Sequence, residues 1–227
     1  MDISIRHNPA FAVARATLAP NEAIRVESGA MLATSGDITF EAKMQGGLMG
    51  SLKRAALGGE SLFMTTFTAG SNGGWVDCAA NLPGDVAVRT ITGEAGLNIS
   101  RGSYLCSEST VQIDTKWGGF KNLFGSEGGF LIHASGSGEV VVACFGAIEQ
   151  VVLAPGERLV LDTGHMVAYE PTVQMTLRKA SSGLAQTLKS GEGLVFEFTG
   201  PGDVWTQSRN PSALVSWLTT ALPFSRS

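Results

Sequence analysis

Residues 153–168 read LAPGERLVLDTGHMVA, and residues 18–33 read LAPNEAIRVESGAMLA. Leu, Ala, Pro, Glu, Gly, Met and Ala keep their columns. The replacements are mild: Ile24 to Leu159, Val26 to Leu161, Glu27 to Asp162, Ser28 to Thr163. A third, more diverged copy lies between them. Residues 91–116, ITGEAGLNISRGSYLCSESTVQIDTK, align without a gap under 18–43 and 153–178. Ile24, Leu97 and Leu159 share one column, and Val26, Ile99 and Leu161 another. Gly29, Gly102 and Gly164 share a third.

Each copy continues in the same order. A Gly-containing segment comes first: QGGLMGSLKRAALGG, WGGFKNLFGSEG, then KASSGLAQTLKSG. A strand-like piece follows at 61–70, 129–138 and 193–202. After a short turn comes a last strand at 75–79, 140–145 and 204–208. Repetition of four blocks in one order marks a single supersecondary unit used three times. The repeats span 1–84, 85–146 and 147–227, the last carrying a C-terminal helix, and together they form one compact unit. A unit of about 60 residues would be marginal alone, because small units bury too little surface.

The local period is two. In EAIRVES, ERLVLDT and TVQMTLR apolar residues alternate with polar ones, which is the pattern of a strand with one buried face. Gly, Asn, Asp and Pro punctuate these runs at hairpin spacing. The fold expected is all-β: three repeated antiparallel modules with pseudo-threefold symmetry, as a sandwich or barrel. Gly29, Gly102 and Gly164 are read as structural turn residues, with positive φ or a crowded Cα. The exception is RNPSALVSWLTTALPF. It offers Asn210 as N-cap, Pro211 at the first helical position, and Leu214, Leu218 and Leu222 at helical spacing. A short amphipathic helix covering an edge or end of the sheets is expected there.

Composition limits the function. Hydrophobic content is 44% and charged content 16%, which suits an ordered chain. Net charge is −4 with no Lys/Arg cluster, a poor electrostatic match for nucleic acid. Cys78, Cys106 and Cys144 form an odd, sparse set, which points to a reducing compartment. The start, MDISIRHNPA, has no apolar core of a signal peptide.

A search for chemistry finds no motif. A metal needs ligands converging at about 2 Å. His7, His133 and His165 lie in different copies and columns, and no paired-Cys or HExxH pattern occurs. Cys144 sits in VVVACF and reads as an inert buried thiol. One of Cys106 and Tyr104 is expected to face the core. No cofactor is expected.

The residues resemble a known family, the altered-inheritance-of-mitochondria or mitochondrial biogenesis proteins. The resemblance rests on LAPGE with Gly164, on Lys43 to Leu48, on GGESLF at 58–63, and on FTGPGDVWTQSRNPSALVSWL at 198–218. It implies a fold like the tryptophan RNA-binding attenuator protein, with the modules in one chain. It also implies that eukaryotic members are mitochondrial and take part in inner-membrane organisation. It supplies no reaction and no catalytic residues. Without a presequence, the chain looks like a bacterial, cytoplasmic member.

The expected function is therefore a non-enzymatic binding or scaffold protein. It would act through self-association, a protein partner or a peripheral membrane contact. The expected surface is the Gly-rich segments: Leu48, Met49, Leu52 and Lys53, then Phe120, Lys121 and Phe124, then Leu184 and Leu188. One alternative is a small-ligand or RNA-binding module using clefts between repeats. Another is an unrecognised enzyme.

Overall fold

The computed structural model describes residues 1–44, 63–117, 130–179 and 194–222. The expected interaction surface (Leu48, Met49, Leu52, Lys53, Phe120, Lys121, Phe124, Leu184 and Leu188) lies outside these described residues. The first repeat holds β1 (Asp2–Arg6), β2 (Val13–Leu18), β3 (Ala23–Glu27), β4 (Met31–Thr34), β5 (Ile38–Met44), β6 (Phe63–Ala69) and β7 (Gly74–Cys78). The second holds β8 (Val86–Ser100), β9 (Tyr104–Glu108), β10 (Val111–Trp117) and β11 (Phe130–Ala143). The third holds β12 (Ile148–Leu153), β13 (Arg158–Asp162), β14 (Met166–Tyr169), β15 (Gln174–Lys179), β16 (Leu194–Thr199) and β17 (Gly202–Gln207). The helix α1 (Pro211–Ala221) follows. Apart from that helix and short 3-10 turns, the described elements are strands, and their pairs are antiparallel.

The alternation in EAIRVES works as read: Ile24 and Val26 are fully buried while their neighbours are partly exposed. The repeated columns also fix where strands stop. β3, β8 and β13 end in one column, at Glu27, Ser100 and Asp162. β4, β9 and β14 start in another, at Met31, Tyr104 and Met166. Strand pairing recurs with them. β6 lies between β3 and β5, the first half of β11 between β8 and β10, and β16 between β13 and β15. β7 lies between β2 and β4, the second half of β11 between β8 and β9, and β17 between β12 and β14.

The pieces 61–70 and 75–79 read as two strands joined by a short turn, yet β6 and β7 do not pair with each other. They belong to different sheets, and Gly70 to Gly74 carry the chain round the corner between them. In the second repeat there is no corner at all, because β8 and β11 run straight through. The reason is one column. Pro20 and Pro155 lack the N–H that a ladder needs, so they split the strand. The second repeat has Gly93 there, with φ +79°, and the ladder bends at a bulge between Ala134 and Gly136 instead.

The three aligned glycines differ. Gly29 has φ +87°. Gly164 is crowded, because an added Cβ would overlap the Asn210 carboxamide. Gly102 corrects the expectation: its φ is not in the left-handed region, and nothing lies within 4 Å of an added Cβ. Any residue fits the 3-10 turn Arg101–Ser103 that holds it.

The core divides into three clusters, two of which cross repeat boundaries. Leu105, Cys106 and Val141 pack with Ile24, Val26 and Val76. Val167, Ala168 and Trp205 pack with Ile99, Ile132 and Val140. Tyr104 and Cys106 are both buried, because Tyr104 packs into one core cluster and Cys106 into another.

Helix α1 forms where expected. The Asn210 Oδ1 accepts from the backbone N–H groups of Ser212 (2.9 Å) and Ala213 (3.3 Å). It is not the expected lid. None of its residues is buried, and Val215 and Trp217 are 61% and 64% exposed. Its anchor is its first turn, where the Asn210 Nδ2 donates to the Asp162 carboxylate (3.3 Å). Gly164→Val should displace Asn210 and cost about 1–3 kcal/mol, because the cap and the anchor are lost together. A urea midpoint with amide exchange at 211–221 checks this. An unchanged midpoint would show that Asn210 holds nothing.

Candidate functional site

The turns that carry the aligned glycines converge. Ser28 and Ala30 of the first repeat, 101–105 of the second, and Thr163 and Gly164 of the third line one cleft of about 420 Å³. The start of α1 lines it as well, at Asn210 to Ser212.

Several polar side chains in and beside the cleft are committed to structure. The Gln207 Oε1 accepts from the backbone N–H of Phe145 (2.8 Å), and its Nε2 donates to the Gly164 carbonyl (2.9 Å). Asp162, in the Glu27 column, accepts from the backbone N–H of Gly164 (3.0 Å). The Cys144 thiol donates to the Gly146 carbonyl (3.2 Å), and burial pushes its pKa up to about 11. Burial and the raised pKa favour the thiol over the reactive thiolate at neutral pH. Cys106 is also raised, by a hydrogen bond with the Cys78 thiol and by burial.

Glu27 is different. It lines the cleft with Arg101, and burial pushes its pKa up to about 7. Attraction to Arg101 acts the other way but does not offset the lost hydration. Near neutrality this carboxyl is poised between a hydrogen-bond donor and an acceptor, in a wall that also holds a guanidinium.

The remaining sequence candidates are not brought here. His165 Nδ1 is hydrogen-bonded to the Gln207 carbonyl (2.7 Å), and His133 Nδ1 to the Asn98 Oδ1 (3.0 Å). Among the described residues no three His, Cys, Asp or Glu side chains gather as a metal set would. None of the described helices is long and apolar enough to cross a membrane. Sequence reasoning singled out the glycines and missed the two polar residues before each. The triplets are Glu27-Ser28-Gly29, Ser100-Arg101-Gly102 and Asp162-Thr163-Gly164. Polar pairs closing apolar strands were the available signal.

The raised pKa has a measurable sign. The folded chain holds the Glu27 proton more tightly than the unfolded chain, whose carboxyl titrates near 4.5. The resulting stability is complete below about pH 4.5 and is lost as the pH rises through about 7. Relative to Glu27→Gln, the native chain should lose roughly 2–3 kcal/mol across this range. Paired urea titrations from pH 4 to 8 check it. A constant gap between the two proteins would mean that the carboxyl is fully hydrated.

Comparison with known proteins places this architecture. A curated protein of Streptococcus pyogenes serotype M6, described as uncharacterized, is 26% identical over 99% of this chain and 92% of its own length. A crystal structure of a protein from Streptococcus pyogenes superposes with a TM-score of 0.82 at 24% identity. It covers 97% of this chain and 99% of that one, which shows a shared fold. The family described as Mitochondrial biogenesis AIM24 matches residues 3–209. Since that match spans nearly the whole chain, the chain belongs to the mitochondrial biogenesis AIM24 family.

Proposed function

We propose that this is a non-enzymatic binding protein whose small polar ligand seats in the cleft where the three repeats meet. The observation that carries the reading is Glu27 with Arg101. A half-dehydrated carboxyl near its titration point and a guanidinium on one wall offer a donor, an acceptor and a cation together. Binding sites are commonly concave, with a few polar groups placed among apolar ones. A cleft between repeats also fits a rotation axis relating the three modules, which would bring the aligned turns together at one end. Three free, buried cysteines suit a cytoplasmic setting. A net charge of −4 disfavours RNA as the occupant.

Gly102 offers the test. Its negative-φ turn and open surroundings accept a side chain without strain, and because Gly102 lines the cleft the side chain would narrow it. The low-mass fraction of a lysate from the source cells should raise the melting temperature of the native chain. At a tenfold excess over Kd the rise is about 3–6 °C. Gly102→Leu should melt like the native chain without the fraction and show no rise with it. No rise in the native chain, or an equal rise in both, would overturn the reading.

A further inference from the structure

Consecutive repeats are joined by the same ladder twice. In the first junction β3 pairs with β9, Val26 opposite Cys106 and Arg25 opposite Ser107. In the second β8 pairs with β14, Ile99 opposite Ala168 and Asn98 opposite Tyr169. In the alignment of 18–43, 91–116 and 153–178 these are the same columns. The columns specify a third junction, β13 against β4, with Leu161 opposite Ala33 and Val160 opposite Thr34.

That junction is not made within the chain. Among the described residues β4 pairs only with β7 and ends a four-stranded sheet, while β13 pairs only with β16 and ends a three-stranded one. The side chains register the difference. Leu32 is 59% exposed, whereas its equivalents Leu105 and Val167 are 1% and 0% exposed. Met31 is 42% exposed, against 1% for Tyr104 and 4% for Met166. On the other edge Val160 is 51% exposed. The β4 edge, Met31-Leu32-Ala33-Thr34, carries no charge and no proline, the usual guards of an open edge.

We propose that β4 and β13 are the two halves of an interface between copies of this chain. β4 of one copy adds to β13 of a second, in the register already seen twice, and the reciprocal contact closes a dimer. The occupant is a second copy because a β4-type edge is matched in this molecule by β3-type strands, and β13 is the one of that type left without such a partner among the described residues. Reciprocal pairing covers both edges at once and ends the assembly at two copies. Ala30 and Thr163, beside these strands, line the cleft, so the partner would stand next to it.

The test uses the full chain. Sedimentation from about 1 to 200 µM, a range chosen to bracket a weak dimer, should show the mass rising from 23.7 kDa to twice that value. Leu32→Asp and Val160→Asp, both at exposed positions, should melt like the native chain at the dilute end of this range and remain monomeric throughout. Oxidising the paired variant Ala33→Cys with Leu161→Cys should link two chains on a non-reducing gel. A native chain that stays monomeric, dimers that survive both aspartates, or a cysteine pair that closes within one chain would each overturn the proposal.

Discussion

An open strand edge exposes a row of unpaired N–H and C=O groups, and every edge in a β protein must be paired, covered or guarded. This molecule meets that demand mainly by lending strands between repeats. The β3–β9 and β8–β14 ladders tie the first repeat to the second and the second to the third. Several side chains on these ladders are fully buried: Ile24, Val26, Ile99, Cys106 and Ala168 are all at 0% exposure. Burying one such aliphatic side chain contributes about 1.5–3 kcal/mol, so the junctions hold a large share of the core. Two of the three clusters exist only because one repeat supplies the other half.

The repeats have diverged according to where they sit. One cross-strand position pairs Arg15 with Asp77 in the first repeat, Val88 with Val141 in the second, and Gln150 with Trp205 in the third. The middle repeat has a neighbour on either side, and its pair is aliphatic. In the first repeat Asp77 is buried but ionised. Arg15 binds it through Nε (2.7 Å) and Nη2 (2.8 Å), and Arg6 adds a third bond (2.6 Å). These guanidinium contacts hold its pKa below the ordinary carboxylate range despite burial. Arg15 also stacks over Trp75, 3.9 Å from the ring centroid. In the third repeat the aromatic partner receives its cation from next door, as Arg89 of β8 lies over Trp205.

The same divergence makes the cleft chemically uneven. Three turns in one column could have given three equal walls. Asp162 instead caps its own turn and anchors α1, Ser100 carries no charge, and Glu27 is left with its carboxyl partly dehydrated. Arg101 comes from the second repeat one residue further on. The asymmetry gives the site a direction that a symmetric ring would lack.

Much of this was legible in the chain. Alternation of period two, the shared stop column at Glu27, Ser100 and Asp162, and the Asn210-Pro211 helix start are local properties, and the sequence determined them without help from the rest of the fold. The Pro20, Gly93, Pro155 column even encoded the fusion of the middle strands. What the tertiary structure decided was everything that depends on neighbours. Cys78 and Cys106 meet across a repeat boundary. Glu27 loses water where it lines the cleft shared by turns of all three repeats. Leu32 and Leu105 are the same residue in the same column, and one is exposed while the other is buried. A residue's type sets how much it gains from burial; only the strands beside it determine whether that burial occurs.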